Sequence, residues 1–199
     1  LNKIDKQHHD RLIIVENTLD AYHKLANYYR KKINPRVIGI TGSSGKTTTK
    51  EIVSAVLSGK YKVHKTEKNY NNEIGLPKTI LEMPEDTEVL VLEMAMRAQG
   101  EIKYLSKTAE PDIAIITNVG TAHIGRLGNV ENIAKAKVEI LEHLNKEGLA
   151  ILHNDNILLD KAKKIWTGRI KTFDLSLINE ISYLDLKSNF NFEGNKYFI

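Results

Sequence analysis

"TGSSGKTTTK", residues 41–50, decides how the chain is to be read. It follows an apolar run, "RVIGIT" (36–41), and leads into a stretch of helical composition from Lys46 to Ser58. A Gly-rich turn between a buried strand and a helix aims several backbone N–H groups at one point, and the helix dipole adds partial positive charge there. Such a point suits a polyphosphate. Gly42 and Gly45 allow close approach, Lys46 can reach the β- and γ-phosphates, and the Thr47 hydroxyl can ligate Mg2+. Gly42, Ser43, Ser44, Gly45, Lys46, Thr47 and Thr48 are therefore the expected nucleotide contacts. The usual opening glycine, five residues before Gly45, is Ile40 in this chain. A Gly/Ser-rich turn with an exposed lysine is the competing reading.

Outward from the loop, apolar segments alternate with helical ones. The pattern predicts strands over 36–41, 61–66, 87–94, 112–119 and 148–154, and helices over 46–58, 76–83, 101–108, 130–144 and 156–165. Ahead of the loop, "RLIIV" (11–15) reads as a short strand. Asn17 then caps a helix running to about Lys32, with Leu19, Tyr22, Leu25, Ala26 and Tyr29 on its core face. Near-continuous apolar strands interleaved with helices indicate an α/β fold of the P-loop type, a mostly parallel sheet with helices on both faces. The tail, from "RIKTFDL" through "ISYLDLKSNF" to "NKYFI", reads as short antiparallel strands, a small β extension at the C-terminal end.

The totals fit one sizeable α/β core: 199 residues, 41% hydrophobic and 27% charged. With no cysteine, disulfides and thiolate metal sites are excluded. No apolar run approaches 18 residues and the first fifteen residues are too polar for a signal peptide, so the expectation is a cytoplasmic protein with no membrane partner. Residues 1–65 carry 13 Lys/Arg against 5 Asp/Glu. A nucleic-acid face is one reading of that surplus. The aromatics are not interleaved with the basic residues as a stacking platform requires. Solvated helix faces beside an anionic small-ligand site are the favoured reading, with no nucleic-acid partner and a monomeric chain.

In an open α/β sheet, ligand groups gather beyond the C-terminal ends of the strands. Glu93 falls there, after "TEVLVL", and is read as a Mg2+ ligand. Asn118 and His123 follow "DIAIIT", and Asn154 ends "GLAILH". His123 is read either as a ligand or as a surface histidine, and Asn154 either as a ligand contact or as the cap of the next helix. Lys137 is the unexpected residue. It shares the stripe of Val130, Ile133, Ile140 and Leu144, whereas Lys135, Glu139 and Glu142 are expected to point elsewhere. A lysine on the core side must snorkel out or have a partner.

Taken together, "GITGSSGKTTTKE", "TEKNYNNEIGLPKTIL", "VLVLEMAMRAQGEI", "ITNVGTAHIGRLG", "ENIAKAKVEIL" and "ILHNDN" resemble the central ATPase domain of the Mur ligases. In that family the shorter phosphate loop is normal, which accounts for Ile40. The resemblance implies an ADP-forming amide ligase that uses ATP and Mg2+, two metal sites among them. Lys46 would bind phosphate, and Thr47 and Glu93 would ligate the first Mg2+. His123 would ligate a second, Lys137 would be the lysine that CO2 carbamylates, and Asn154 would contact adenine. Lys46, Glu93, His123 and Lys137 are thus the expected catalytic set. An ammonium about 4 Å from Mg2+ is repelled by roughly 8 kcal/mol at an effective dielectric near 20, and carbamylation reverses that sign. Asn69, Asn71 and Asn72 match a substrate-side loop. "NYNNEIGLP" and "EMAMRAQGEI" resemble the branch that joins D-alanyl-D-alanine to UDP-N-acetylmuramoyl-tripeptide. The family's Glu-Met-Gly is Glu93-Met94-Ala95 here, which leaves the backbone less freedom. By the same resemblance, residues 1–15 are the remnant of a missing N-terminal substrate domain, 16–199 are the central domain, and a C-terminal domain is absent. Another Mur-type or folylpolyglutamate-type ligase is the neighbouring alternative, and a non-ligase P-loop switch the alternative from another class.

Overall fold

The computed structural model describes residues 13–122, 124–174, 176, 178–184, 187–192 and 195–198. Helix α1 (Thr18–Ile33) leads into β1 (Arg36–Thr41), α2 (Lys46–Ser58), β2 (Val63–Lys65), α3 (Gly75–Leu81), β3 (Val89–Glu93), α4 (Glu101–Ala109) and β4 (Ile113–Ile116). There follow α5 (Ile124–Leu127), α6 (Val130–Val138), a 3-10 segment (Glu139–His143), β5 (Leu149–His153), α7 (Asn156–Ala162) and β6 (Arg169–Phe173). The tail holds β7 (Ile178–Leu184), β8 (Lys187–Phe192) and β9 (Asn195–Phe198).

Strands β1 to β6 form one sheet in the order β2-β3-β1-β4-β5-β6, with every pairing parallel. All six C-terminal ends therefore open on one edge, and β1 lies at the middle between β3 and β4. Alternate residues of a strand face opposite sides, and the core divides accordingly. Val37, Leu90, Leu92, Ala114, Ile116 and Leu152 face a large cluster completed by Ala26, Ile80, Leu105, Ile133, Ile140 and Leu158 of the helices. Ile38, Ile40, Val89, Val91 and Ile115 face a smaller cluster against Val53 and Leu57 of α2. Helices thus cover both faces, very unequally: among the described residues α2 packs on the smaller cluster and the other helices on the larger one. The helix that carries the phosphate loop packs alone on its side of the sheet among the described residues.

Helix α1 begins as expected, with Asn17 Oδ1 accepting from the Asp20 amide at 3.0 Å. Its buried face is rotated from the expected one. Leu25 is exposed, while His23 and Arg30 are buried beside Ala26. His23, not among the residues expected on the core face, is held inside by Thr108 Oγ1 and the Glu73 carbonyl at its two ring nitrogens, at 2.6 and 2.7 Å. Residues 11 and 12 of the expected strand 11–15 lie outside the described residues, and Ile13, Ile14 and Val15 form no strand and are exposed. The other elements match within a few residues, apart from two. The helix expected over 130–144 is α-helical only to Val138 and tightens into the 3-10 segment. The strand "RIKTF" does not join the antiparallel tail; it pairs parallel with β5 as the sixth strand. The antiparallel extension itself is present as a separate sheet, β7-β8-β9.

Candidate nucleotide site

The loop between β1 and α2 closes in the conformation its glycines allow. Gly45 has φ 76°, left-handed, and sits at the N-cap position of α2. No side chain caps that helix and no acidic residue occupies its first turn, so its leading N–H groups face outward without an internal acceptor. Gly42 lies so close to β4 that a Cβ would meet Thr117 Oγ1 at 1.8 Å. The Thr117 side chain, not only a ligand, therefore favours glycine there.

A second strand end braces the loop. Thr117 Oγ1 donates to the Ser44 carbonyl at 2.6 Å, Asn118 Oδ1 accepts from the Ser44 amide at 3.0 Å, and Asn118 Nδ2 donates to Ser44 Oγ at 3.0 Å. The Gly120 amide donates to Ser43 Oγ at 2.9 Å. Ser43 and Ser44 are thereby committed to holding the loop's shape. Thr48 is exposed on the first turn.

The charged groups converge as the open-sheet rule predicts. Lys46 Nζ donates to the Gly42 carbonyl at 3.0 Å, folded back over its own loop. Thr47 Oγ1 donates to Glu93 Oε2 at 2.9 Å. Asn71 Nδ2 donates to the other carboxylate oxygen, Oε1, at 2.8 Å. Glu93 is 2% exposed, at the end of β3. Lys137 is 1% exposed, so it does not snorkel. Burial, and then the nearby Lys46 ammonium, push its pKa down to about 7. Among the described residues its ammonium has no carboxylate partner. Lys46, Thr47, Glu93, Asn71 and Lys137 thus gather at one rim. His123 lies outside the described residues.

The remaining expected residues make contacts of their own within the protein or face solvent. Asn72 Oδ1 accepts from the Ile74 and Gly75 amides and so initiates α3. Asn69 is exposed in the same loop. Asn154 is exposed and donates to Asp174 Oδ2 at 2.6 Å; the cap of α7 is Asp155, not Asn154. Ala95 has no positive φ, so alanine costs nothing where the family has glycine. Its amide instead donates to the Asn71 carbonyl at 2.9 Å. Glu139, expected to point elsewhere, is buried and accepts from the Gly100 and Lys103 amides, capping α4. Two participants went unnoticed in the sequence. Thr66 Oγ1 accepts from the Glu93 amide at 3.0 Å, and buried Lys50 donates to the Thr66 carbonyl at 2.7 Å. Lys50 does carry a signal, since it lies three residues before Val53 and seven before Leu57, on the inward stripe of α2.

The donors near the loop are a hydroxyl and a carboxylate, hard oxygens of the kind Mg2+ takes. Among the described residues no group of three or more His, Asp or Glu side chains could hold a metal alone. A Mg2+ at Thr47 and Glu93 would need oxygens from a bound phosphate to complete its shell, which fits a metal that arrives with a nucleotide.

Phosphate loop, braced strand end and buried carboxylate define an α/β domain of the P-loop nucleotide-binding class. The Mur ligase middle domain profile matches residues 40–196, and the chain belongs to the Mur ligase family. It is 46% identical over 195 residues to a UDP-N-acetylmuramoyl-tripeptide–D-alanyl-D-alanine ligase of Bacillus subtilis, covering 94% of this chain and 42% of that protein. It is 51% identical over 163 residues to the ligase of the same name from Synechocystis, covering 81% and 36%. The crystal structure of MurF ligase from Thermotoga maritima in complex with ADP superimposes with a TM-score of 0.88 at 33% identity, covering 99% of this chain and 47% of that one. The chain therefore spans less than half the length of each. No helix among the described residues is long and apolar enough to cross a membrane.

Proposed function

We propose that this chain is the ATP-binding middle domain of a three-domain cytoplasmic ligase that joins D-alanyl-D-alanine to UDP-N-acetylmuramoyl-tripeptide in peptidoglycan precursor synthesis. The observation that carries the reading is the Thr47–Glu93 contact beside the uncapped helix N-terminus, in a chain similar over 94% of its length to a ligase of that name.

In the reaction the terminal carboxylate of the tripeptide attacks the γ-phosphorus of ATP in line, forming an acyl phosphate and releasing ADP. The amine of the dipeptide then attacks the acyl carbon, the amide forms, and phosphate leaves with the electron pair of the broken C–O bond. The domain's contribution is position and charge. The leading N–H groups of α2 hold the β-phosphate, and Lys46 leaves the Gly42 carbonyl to meet the γ-phosphate. Thr47 and Glu93 would hold Mg2+, which when bound neutralises charge on the phosphate oxygens. Asn71 fixes the carboxylate of Glu93 from the loop that faces the acceptor substrate.

A second Mg2+ site, with His123 and Lys137 as ligands, belongs to the same proposal. Its support is Lys137: buried, without a carboxylate partner among the described residues, and with a pKa near 7. A large share of its amine is then neutral at neutral pH and free to attack CO2, giving a carbamate and a proton. Asn154 is assigned to the adenine end of the nucleotide, where Asp174 now occupies its amide.

The test is ADP release by the full-length ligase. Sustained, multiple-turnover release should require both the UDP-linked tripeptide and D-alanyl-D-alanine, while the 199-residue chain alone binds Mg·ATP weakly and turns nothing over. Preference for a single amino acid or glutamate as the amine would favour a sister ligase. Guanine nucleotides displacing ATP on equal terms would favour a P-loop switch.

A further inference from the structure

Lys50 is a buried charge that the reaction above does not use. It lies one helical turn beyond Lys46 on α2 and is 2% exposed, among the largest fully enclosed side chains of the protein. Its ammonium donates to the Thr66 carbonyl at 2.7 Å and pairs with Glu51 Oε1 at 2.9 Å. Burying an ammonium costs several kcal/mol of desolvation, and an apolar side chain of similar length often fills such a space at no loss of stability. The lysine must therefore be judged by what its one buried contact holds in place.

That contact is the residue just past the end of β2, the three-residue edge strand. All three polar groups of Thr66 are engaged. Its amide donates to the Val91 carbonyl at 2.9 Å, its hydroxyl accepts from the Glu93 amide at 3.0 Å, and its carbonyl takes Lys50. The β2–β3 ladder ends at the pair Lys65–Val91, so at Glu93 a side-chain oxygen stands in for a strand partner. A strand of three residues has little of its own to fix its register. The loop that carries Asn71 to the other side of the Glu93 carboxylate starts directly after Thr66.

We propose that Lys50 is a positioning residue for the metal site: by clamping the Thr66 carbonyl it holds the Thr66 hydroxyl against the Glu93 amide, and so fixes where the Glu93 carboxylate meets Thr47. The phosphate helix then grips a nucleotide with its N-terminus and aligns the metal's carboxylate with its second turn. This inference rests on the nucleotide reading above.

The experiment titrates a fluorescent ADP analogue onto the 199-residue chain, in EDTA and over a range of Mg2+ concentrations. Lys50→Met keeps the volume and removes the clamp. The expected result is affinity in EDTA within twofold of wild type, with at least a tenfold rise in the Mg2+ concentration giving half the metal-dependent gain. Thr66→Val, which leaves the carbonyl for Lys50, should reproduce that rise, and the double variant should add little to either single one. Amide exchange at Glu93 should accelerate in both single variants without metal or nucleotide. Glu51→Gln, which weakens the exposed side of the Lys50 pairing and the Glu51–Lys65 pair but leaves Lys50 on the Thr66 carbonyl, should leave the Mg2+ titration unchanged. Equal losses with and without Mg2+, or a Glu51→Gln effect as large as that of Lys50→Met, would assign the lysine a structural role and overturn the proposal. Should Lys50→Met fail to fold, an unchanged Mg2+ titration in Thr66→Val overturns it as well. A wild-type chain with no nucleotide affinity sinks the nucleotide reading itself, and this inference with it.

Discussion

The Thr47 hydroxyl and the Glu93 carboxylate, 46 residues apart in sequence, meet at 2.9 Å across the C-terminal edge of the sheet. One belongs to the first turn of the phosphate helix and the other to the end of β3, the strand beside β1. That contact ties the anion-binding end of α2 to a buried negative charge, the pairing that metal-bound polyphosphate needs.

Removing the charge while keeping the shape tests that pairing. Glu93→Gln should leave nucleotide affinity in EDTA close to wild type and cut the gain from Mg2+ at least tenfold, about 1.4 kcal/mol. A fluorescence titration against Mg2+ reads it. A full Mg2+ response in the glutamine variant would remove Glu93 from the metal's shell.

Gly42 is held by its neighbours as well as by any ligand. Gly42→Ala sets a methyl group against Thr117 Oγ1, whose hydroxyl is already bonded to the Ser44 carbonyl. The expected loss is about 1–3 kcal/mol in urea unfolding, partly recovered in the double variant with Thr117→Ala. No recovery would mean that the strain lies in the backbone and not in that contact.

Lys137 makes stability depend on pH in a definite direction. Its folded pKa, near 7, lies below the ordinary lysine value of 10.5. Below pH 7 the group is protonated in both states, and the cost of burying its charge is felt in full. As pH rises from about 7 to 10.5 the folded protein has shed a proton that the unfolded chain still holds, so stability rises. Relative to Lys137→Met, the wild type should gain on the order of 4 kcal/mol across that window, measured by urea unfolding in CO2-free buffers. Parallel curves for the two proteins would show that the lysine escapes to solvent.

Glu139 replaces the missing cap of α4, whose own N-cap is Gly100 with φ 87°. Glu139→Ala should cost about 1–2 kcal/mol by removing the acceptor of two helix amides, and Glu139→Gln less than half of that. The thermal unfolding midpoint gives the comparison, and equal losses would point to packing instead of hydrogen bonding.

What the sequence made legible was local or periodic. The phosphate loop is a contiguous pattern, and Lys137 stood out because it interrupts an apolar stripe. The partners of buried polar groups lie far away along the chain and leave no local trace. His23 and Arg30 are buried by bonds to the carbonyls of Glu73 and Glu110, so the apolar pattern of α1 alone selected Leu25 wrongly. "RIKTF" reads as a strand from its residues, but its direction is set by the β5 edge it meets. "IIV" at 13–15 has strand composition but pairs with no strand among the described residues. Asn72 closes the local turn that opens α3, and Asn154 donates to Asp174, twenty residues further along the chain. Lys50 could have been found by the same stripe argument that found Lys137.

The most direct measurement of the central claim is a crystal structure of this chain with Mg2+ and a non-hydrolysable ATP analogue. The account predicts the β- and γ-phosphates at the N-terminus of α2, Lys46 moved from the Gly42 carbonyl onto phosphate, and Thr47 Oγ1 and Glu93 within coordination distance, roughly 2.1 Å, of one metal ion. Phosphates bound elsewhere, or a metal ion at the loop with Glu93 turned away from it, would contradict the account.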